Sequence, residues 1–218
     1  MPTRSDYDSA GRVSAATTDD IGDLIPIFFE AFSSPAVSTT FPPTPSGHRW
    51  LERSFQNFLG QKSYYRPEAR VPVVRNANGR VVSFAILHVV KPGQSAVGHS
   101  WKTRWSKADD LPNMSEEKLA GYFEPMAKAH HLVVGKEGHV FIELVITKKN
   151  QRHQGHASAL MAYAANLADE LDMPAYLDGG GRGMHICERA GFEPQDVERR
   201  YGGPPPCVPR LRPRRSGS

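Results

Sequence analysis

The chain has 218 residues, enough for one α/β domain with a buried core, and its 39% hydrophobic and 23% charged content is that of a globular protein rather than a disordered or fibrous one. Its two cysteines, Cys187 and Cys207, exclude a disulfide framework and a cysteine-built zinc site, and no apolar run approaches the ~18 residues of a membrane span. The net charge of +4 is mild, and part of it lies in Arg210, Arg212, Arg214 and Arg215, a Pro-interleaved run without aromatic partners that reads as a solvated tail rather than a nucleic-acid arm.

Residues 1–11 are polar and carry Asp6 and Asp8, so they read as a disordered N-terminus and not a signal peptide. Residues 12–17 suit a short strand. Thr18 then caps a helix with Asp19 and Asp20 in its first turn, where carboxylates oppose the positive end of the dipole. Its apolar residues Ile21, Leu24, Ile25, Phe28, Phe29 and Phe32 recur at helical spacing, and Pro26 predicts a kink. Residues 33–47 are rich in Ser, Thr and Pro and read as a loop. Trp50, Leu51, Phe55, Phe58 and Leu59 predict a second amphipathic helix, its aromatics packed in the core.

Residues 71–75 and 80–90 form a predicted hairpin around Asn76-Ala77-Asn78-Gly79. Residues 91–138 read as a variable insertion, with a helix capped by Ser115 and running to about His131; Trp101, Trp105 and Tyr122 are candidates to line a pocket or form a lid. Residues 140–147 predict the central strand. After a turn, a helix over 158–171 crosses to a parallel strand over 173–178. Gly179-Gly180-Gly181 is a flexible loop, a short helix over 184–190 stops at Gly191, and residues 197–201 and 208–211 are final strand candidates. The whole reads as a single domain over 12–211 followed by a basic tail over 212–218.

The turn Arg152-His153-Gln154-Gly155-His156-Ala157 carries the chemistry. A strand, a glycine turn and a helix in that order present unpaired N–H groups at a helix N-terminus, which attract phosphate. Neither GxxxxGK[ST] nor GxGxxG is present. What remains, [Gln/Arg]-x-x-Gly-x-[Gly/Ala], resembles the coenzyme A pyrophosphate loop of the GNAT N-acetyltransferase superfamily. The flanks extend the likeness: Ile142 to Thr147 before the loop, Ala168-Asp169, Tyr176-Leu177-Asp178, and Glu188-Arg189-Ala190-Gly191-Phe192 after it. In this order they resemble a small-molecule branch common in filamentous fungi.

The resemblance implies an α/β fold of mixed, mostly antiparallel sheet, with a splayed parallel pair and helices on both faces. It implies acetyl-CoA as cosubstrate, held along Leu144, Val145, Ile146 and Thr147 and by Arg152, His153, Gln154, Gly155, His156 and Ala157. Small residues at Gly155 and Ala157 let the backbone approach the pyrophosphate. The implied reaction is direct acetyl transfer to a small-molecule amine. Glu143 is the leading candidate base, with His139 and Asp178 as alternatives. Where the family often has a tyrosine acid, this chain has Cys187, whose thiol either protonates the leaving thiolate or is a packed residue. A protein or peptide acetyltransferase and a non-catalytic acyl-CoA sensor stay open as alternatives.

No metal is expected. His130 and His131 are adjacent and point about 100° apart on a helix, and His153 and His156 have no third ligand nearby in sequence. The expected state is a cytoplasmic monomer or homodimer, without membrane or nucleic-acid partners.

Overall fold

Two antiparallel strands, β4 (Val81–Val90) and β5 (His139–Thr147), run through the middle of the protein, and every residue of β4 is buried. The structure is a computed structural model and describes residues 13–60, 67–94, 98–180, 183–195 and 208–214. The remaining strands are β1 (Val13–Ala15), β2 (Glu68–Arg70), β3 (Pro72–Arg75), β6 (Ala175–Gly179), β7 (Glu193–Pro194) and β8 (Val208–Arg212). They lie in the order β1-β3-β4-β5-β6-β8-β7, with β2 beside β3 on the same edge of β4. Among the described residues every pairing is antiparallel except β5–β6.

Helices cover both faces. On one lie α1 (Ile21–Ala31), α2 (Pro35–Ser38), α3 (Pro45–Leu59), α4 (Trp101–Arg104) and α5 (Glu116–Val134), whose apolar residues join Phe84, Ile86 and Ile146 in one core. On the other, α6 (His156–Glu170) packs Leu160, Met161 and Ala164 against Ala85, Leu87, Val140 and Ile142, with α7 (Met184–Arg189) alongside. The strand alternation explains the split: neighbours on β4 point to opposite faces and feed opposite cores.

The predicted elements form, with local differences. The first helical turn is capped at Thr17, one residue earlier than expected, and Thr17 N–H donates to Asp20 Oδ2 at 2.8 Å. Helix α1 continues through Pro26 to Ala31. Ser115 caps α5 as expected, accepting from Lys118 N at 3.2 Å. The Ser/Thr/Pro stretch read as loop contains α2 and the start of α3, because Pro35 and Pro45 occupy first-turn positions where proline's missing N–H costs nothing.

The basic run differs most from expectation. Arg210 and Arg212 lie on β8 and are buried, Arg212 pairing with Asp169 through two 2.7 Å bonds. The strand candidate over 208–211 forms as β8, which pairs with β6 on one side and β7 on the other, so this part of the run is sheet and not a solvated tail. The candidate strand at 197–201, the N-terminal 1–11 stretch and the last four residues lie outside the described residues. Among the described residues no helix is long and apolar enough to cross a membrane.

Candidate active site

Strand β5 carries the irregularity that makes the site. Along β4, Ile86 pairs with Leu144 but Leu87 pairs with Ile142, leaving Glu143 as an extra residue. Such a bulge bends a strand and resets its alternation. Phe141, Glu143, Leu144 and Ile146 therefore all line one cavity, although a regular strand would turn Leu144 away from Glu143. The parallel ladder with β6 runs only from Val140↔Ala175 to Ile142↔Leu177. Past that point the two strands part, and the β6-facing edge of β5 has no strand partner among the described residues.

The cavity beside the parting has a volume of 420 Å³. Aromatic side chains form much of its wall: Phe28 from α1 and Phe32 at the C-cap of that helix, Phe41, Trp105, and Tyr122 and Phe123 from α5. The aromatics hold one another; Trp105 stacks on Trp50 at 5.1 Å and 9°, and Phe41 meets Tyr122 edge-on at 5.0 Å. Trp50 in turn donates Nε1–H to Ser106 O at 2.8 Å. Polar groups enter through Arg104, His130, Glu143 and Asp178.

Glu143 is the hub of a buried ion network, its side chain 4% exposed. Its Oε2 accepts from Arg104 Nε at 2.5 Å, and its Oε1 accepts from Arg104 Nη2 at 3.1 Å and from Trp105 Nε1 at 2.9 Å. Arg104 also donates Nη1–H to Gly98 O at 2.6 Å. His88 Nε2 is 2.9 Å from Glu143 Oε2, an electrostatic contact whose alignment falls short of a hydrogen bond. Burial alone would raise the Glu143 pKa, but the Arg104 charge and the His88 contact outweigh it and hold the carboxylate below its usual range. Burial acts oppositely on His88 and keeps it neutral more readily, against the pull of Glu143.

Asp178 has the contrary environment. It follows Leu177, the last β6 residue paired with β5, and burial pushes its pKa up to about 7; the nearby Glu143 charge adds to the rise, while Tyr176 and Arg104 oppose it. Tyr176 donates its hydroxyl to Asp178 Oδ1 at 2.8 Å. Two carboxylates that share one cavity thus have pKa values pushed apart, an arrangement typical of acid–base sites.

At the carboxyl end of β5 comes the loop singled out in sequence. Lys149–Gln151 form one 3₁₀ turn, and Gly155 is the N-cap of α6 with φ +80°, open space lying where a Cβ would stand. His153 also has positive φ, +62°. No acidic residue occupies the first turn of α6, so its dipole and free N–H groups face outward uncompensated. Arg152, His153 and Gln154 are exposed there, with Arg152 Nε donating weakly to Thr147 O at 3.4 Å, while His156 and Ala157 are half-buried. Glycine in the left-handed cap, cations beside it and an unneutralised helix end fit a pyrophosphate.

The structure thus brings Glu143, Leu144, Val145 and Ile146 to the cavity, while Thr147 bonds Ser83 Oγ at 2.7 Å beside β4. Cys187 is elsewhere: half-buried on α7, it packs against the α6-side core and is not among the cavity-lining residues, and burial pushes its thiol pKa up. His139 is buried 2.6 Å from His130. Sequence reasoning missed Arg104, His88 and Tyr176. No local pattern marks Arg104, because its partner Glu143 lies 39 residues away.

No protein-family model matches this sequence, and no curated protein is similar to it. Solved structures are similar in fold. One is histone acetyltransferase HPA2 and related acetyltransferase from Corynebacterium glutamicum, with TM-score 0.60 and 20% identity over 94% of this chain and 97% of that one. Another is arylalkylamine N-acetyltransferase 2 from Aedes aegypti, with TM-score 0.59 and 14% identity over 92% and 96%. A third is a GNAT superfamily phosphinothricin acetyltransferase from Sinorhizobium meliloti in complex with AcCoA, with TM-score 0.55 and 14% identity over 93% and 87%. With its mostly antiparallel sheet, the parallel β5–β6 pair and these neighbours, the chain has the GNAT acetyltransferase fold.

Proposed function

We propose that this protein is an acetyl-CoA-dependent N-acetyltransferase that moves the acetyl group directly to the amine of a small molecule with an aromatic or apolar body. The parting of β5 from β6 beside an aromatic cavity carries the reading. The 148–155 loop supports it, as does the fold shared with an arylalkylamine N-acetyltransferase and a phosphinothricin acetyltransferase.

In this reading the pyrophosphate rests on the N–H groups of Gln154 to Ala157, with Arg152 and His153 beside it. The pantetheine arm carries amides and pairs with the free edge of Leu144 to Thr147 as an added strand would. The acceptor's apolar body fills the cavity between α1 and α5. An alkylammonium has a pKa near ~10.4 and must lose a proton before it attacks. Asp178, with a pKa of about 7, is the base: it is closer in proton affinity to the amine than an ordinary carboxylate is, and Tyr176 orients it. The amine nitrogen then bonds to the thioester carbonyl carbon, the C–S bond breaks, and solvent protonates the departing thiolate.

This assignment replaces the leading sequence candidate with its alternative. Glu143 is held ionised by Arg104 and already accepts three hydrogen bonds, so it accepts a further proton poorly; it instead anchors Arg104 and Trp105 in the cavity wall. Cys187 is taken as a packing residue, because it faces the core rather than the cavity.

The test is acetyl transfer from acetyl-CoA to a panel of phenylalkylamines, aliphatic diamines and a lysine peptide. Fastest turnover on a phenylalkylamine is expected. Saturable acetyl-CoA binding without transfer to any amine would replace the enzyme with a sensor, and preference for the peptide would move the acceptor to proteins.

A further inference from the structure

A second polar cluster in the core is built of histidines. His99 ahead of α4, His130 near the end of α5 and His139 at the start of β5 are 6%, 1% and 0% exposed. One ring nitrogen of each lies within 4.8 Å of the other two. His130 Nε2 is 2.6 Å from His139 Nε2, and the rings of His99 and His130 are 4.4 Å apart. Three imidazoles drawn from separate segments into one core are costly unless their nitrogens are satisfied.

The surrounding contacts fix the lone pair of His139 and leave one nitrogen of His99 open. His139 Nδ1 lies 2.7 Å from Glu137 O, which can only accept, so Nδ1 carries the proton and Nε2 offers its lone pair toward His130. His99 Nδ1 is 3.2 Å from His131 Nδ1, while His99 Nε2 is buried without a hydrogen-bond partner among the described residues. One nitrogen held by an outer partner and the other left as a donor atom is the arrangement of metal-ligating histidines.

We propose that His99, His130 and His139 bind one divalent transition-metal ion, zinc foremost, with a fourth position for water. Tetrahedral ligands ~2.0–2.1 Å from zinc stand roughly 3.3 Å apart, so the 2.6 Å pair must open by less than ~1 Å. His130 then carries its ring proton on Nδ1 instead of Nε2, and no proton is released. Arg104 is the cation nearby, and Glu143 at 2.5 Å already balances it. The ion would tie the segment before α4 to α5 and β5. His130 also lines the cavity and stacks on Tyr176 at 4.4 Å and 7°, so the ion stiffens the acceptor wall.

The test uses the full chain, stripped with chelator and titrated with Co²⁺ alone. One equivalent should give the intense visible absorption of a tetrahedral site, and Zn²⁺ should bleach it and raise Tm. His99→Phe keeps a ring in the packing and should weaken Co²⁺ by about 100-fold or more with an unchanged far-UV spectrum. Should that variant fail to fold, imidazole nitrogen NMR of the wild-type chain must show all three rings shifting with Zn²⁺. Binding no tighter than millimolar, a weak octahedral spectrum, undiminished binding by folded His99→Phe, or unshifted rings would overturn the site and leave a hydrogen-bonded histidine core.

Discussion

The two halves of the cavity region are built by different means. The half made by β5, the 148–155 loop, α6 and β6 is continuous in sequence, and its geometry follows from local rules: a bulge, a left-handed glycine cap and a parallel crossover. The half made by α1, Phe41, Trp105 and α5 is assembled from distant segments and held by aromatic contacts and one ion network. The first presents backbone, which suits a carrier common to many enzymes. The second presents side chains, which suits an acceptor particular to this one.

The sharpest break between the halves is Asp178→Asn. Losing the base should lower kcat/KM for a phenylalkylamine by about 10²–10⁴-fold while acetyl-CoA binding persists. The same variant should be more stable than the wild type above pH 7. A carboxyl raised to about 7 from the usual 3.8 binds more protons folded than unfolded across that interval, so its contribution falls as pH rises through it. Gain of stability with loss of rate, read by denaturant titration at pH 8 beside steady-state kinetics, separates a working base from a structural carboxylate.

Glu143→Gln tests the acceptor wall. It leaves the buried Arg104 charge without its partner and should cost on the order of 3–5 kcal/mol in chemical denaturation. Because the folded pKa of Glu143 is depressed, its stabilisation is present above the ordinary carboxylate range and is lost as pH falls below it, so the wild-type advantage should shrink in acid. A variant as stable as the wild type, yet inactive, would return Glu143 to the role of base.

Gly155→Val tests the other half. A β-branched residue at φ +80° is strained and crowds the cradle, so acetyl-CoA affinity should fall by at least ~10-fold, measured calorimetrically. Tyr176→Phe should act more gently, removing the hydrogen bond that opposes the rise in Asp178 and moving the acidic limb of the pH–rate profile to higher pH. Cys187→Ala should change kcat by less than ~3-fold, since the thiol lies away from the cavity; a drop of two orders of magnitude would restore it as the acid.

The same contrast decides what could be read from sequence. Strand β5, the loop and α6 were legible because period, glycine and cap chemistry act within a few residues. The splaying of the parallel pair was expected from the family resemblance, but only the pairing with β4 reveals the bulge at Glu143. Arg104 looked like one more basic residue in a polar insertion, and nothing near it in sequence announces Glu143. The histidines escaped for a similar reason: His130 and His131 do diverge along α5, but each meets His99, which comes from another segment. Arg210 and Arg212 read as solvated because their burial depends on β6, Phe192 and Asp169.

The most direct measurement is the pH dependence of acetyl transfer from acetyl-CoA to a phenylalkylamine by the wild-type chain and by Asp178→Asn. The wild type should turn over with kcat/KM rising through an apparent pKa near 7, and the variant should bind acetyl-CoA, lose most of the rate and show no such limb. An Asp178→Asn chain with the wild-type rate and profile would contradict the account.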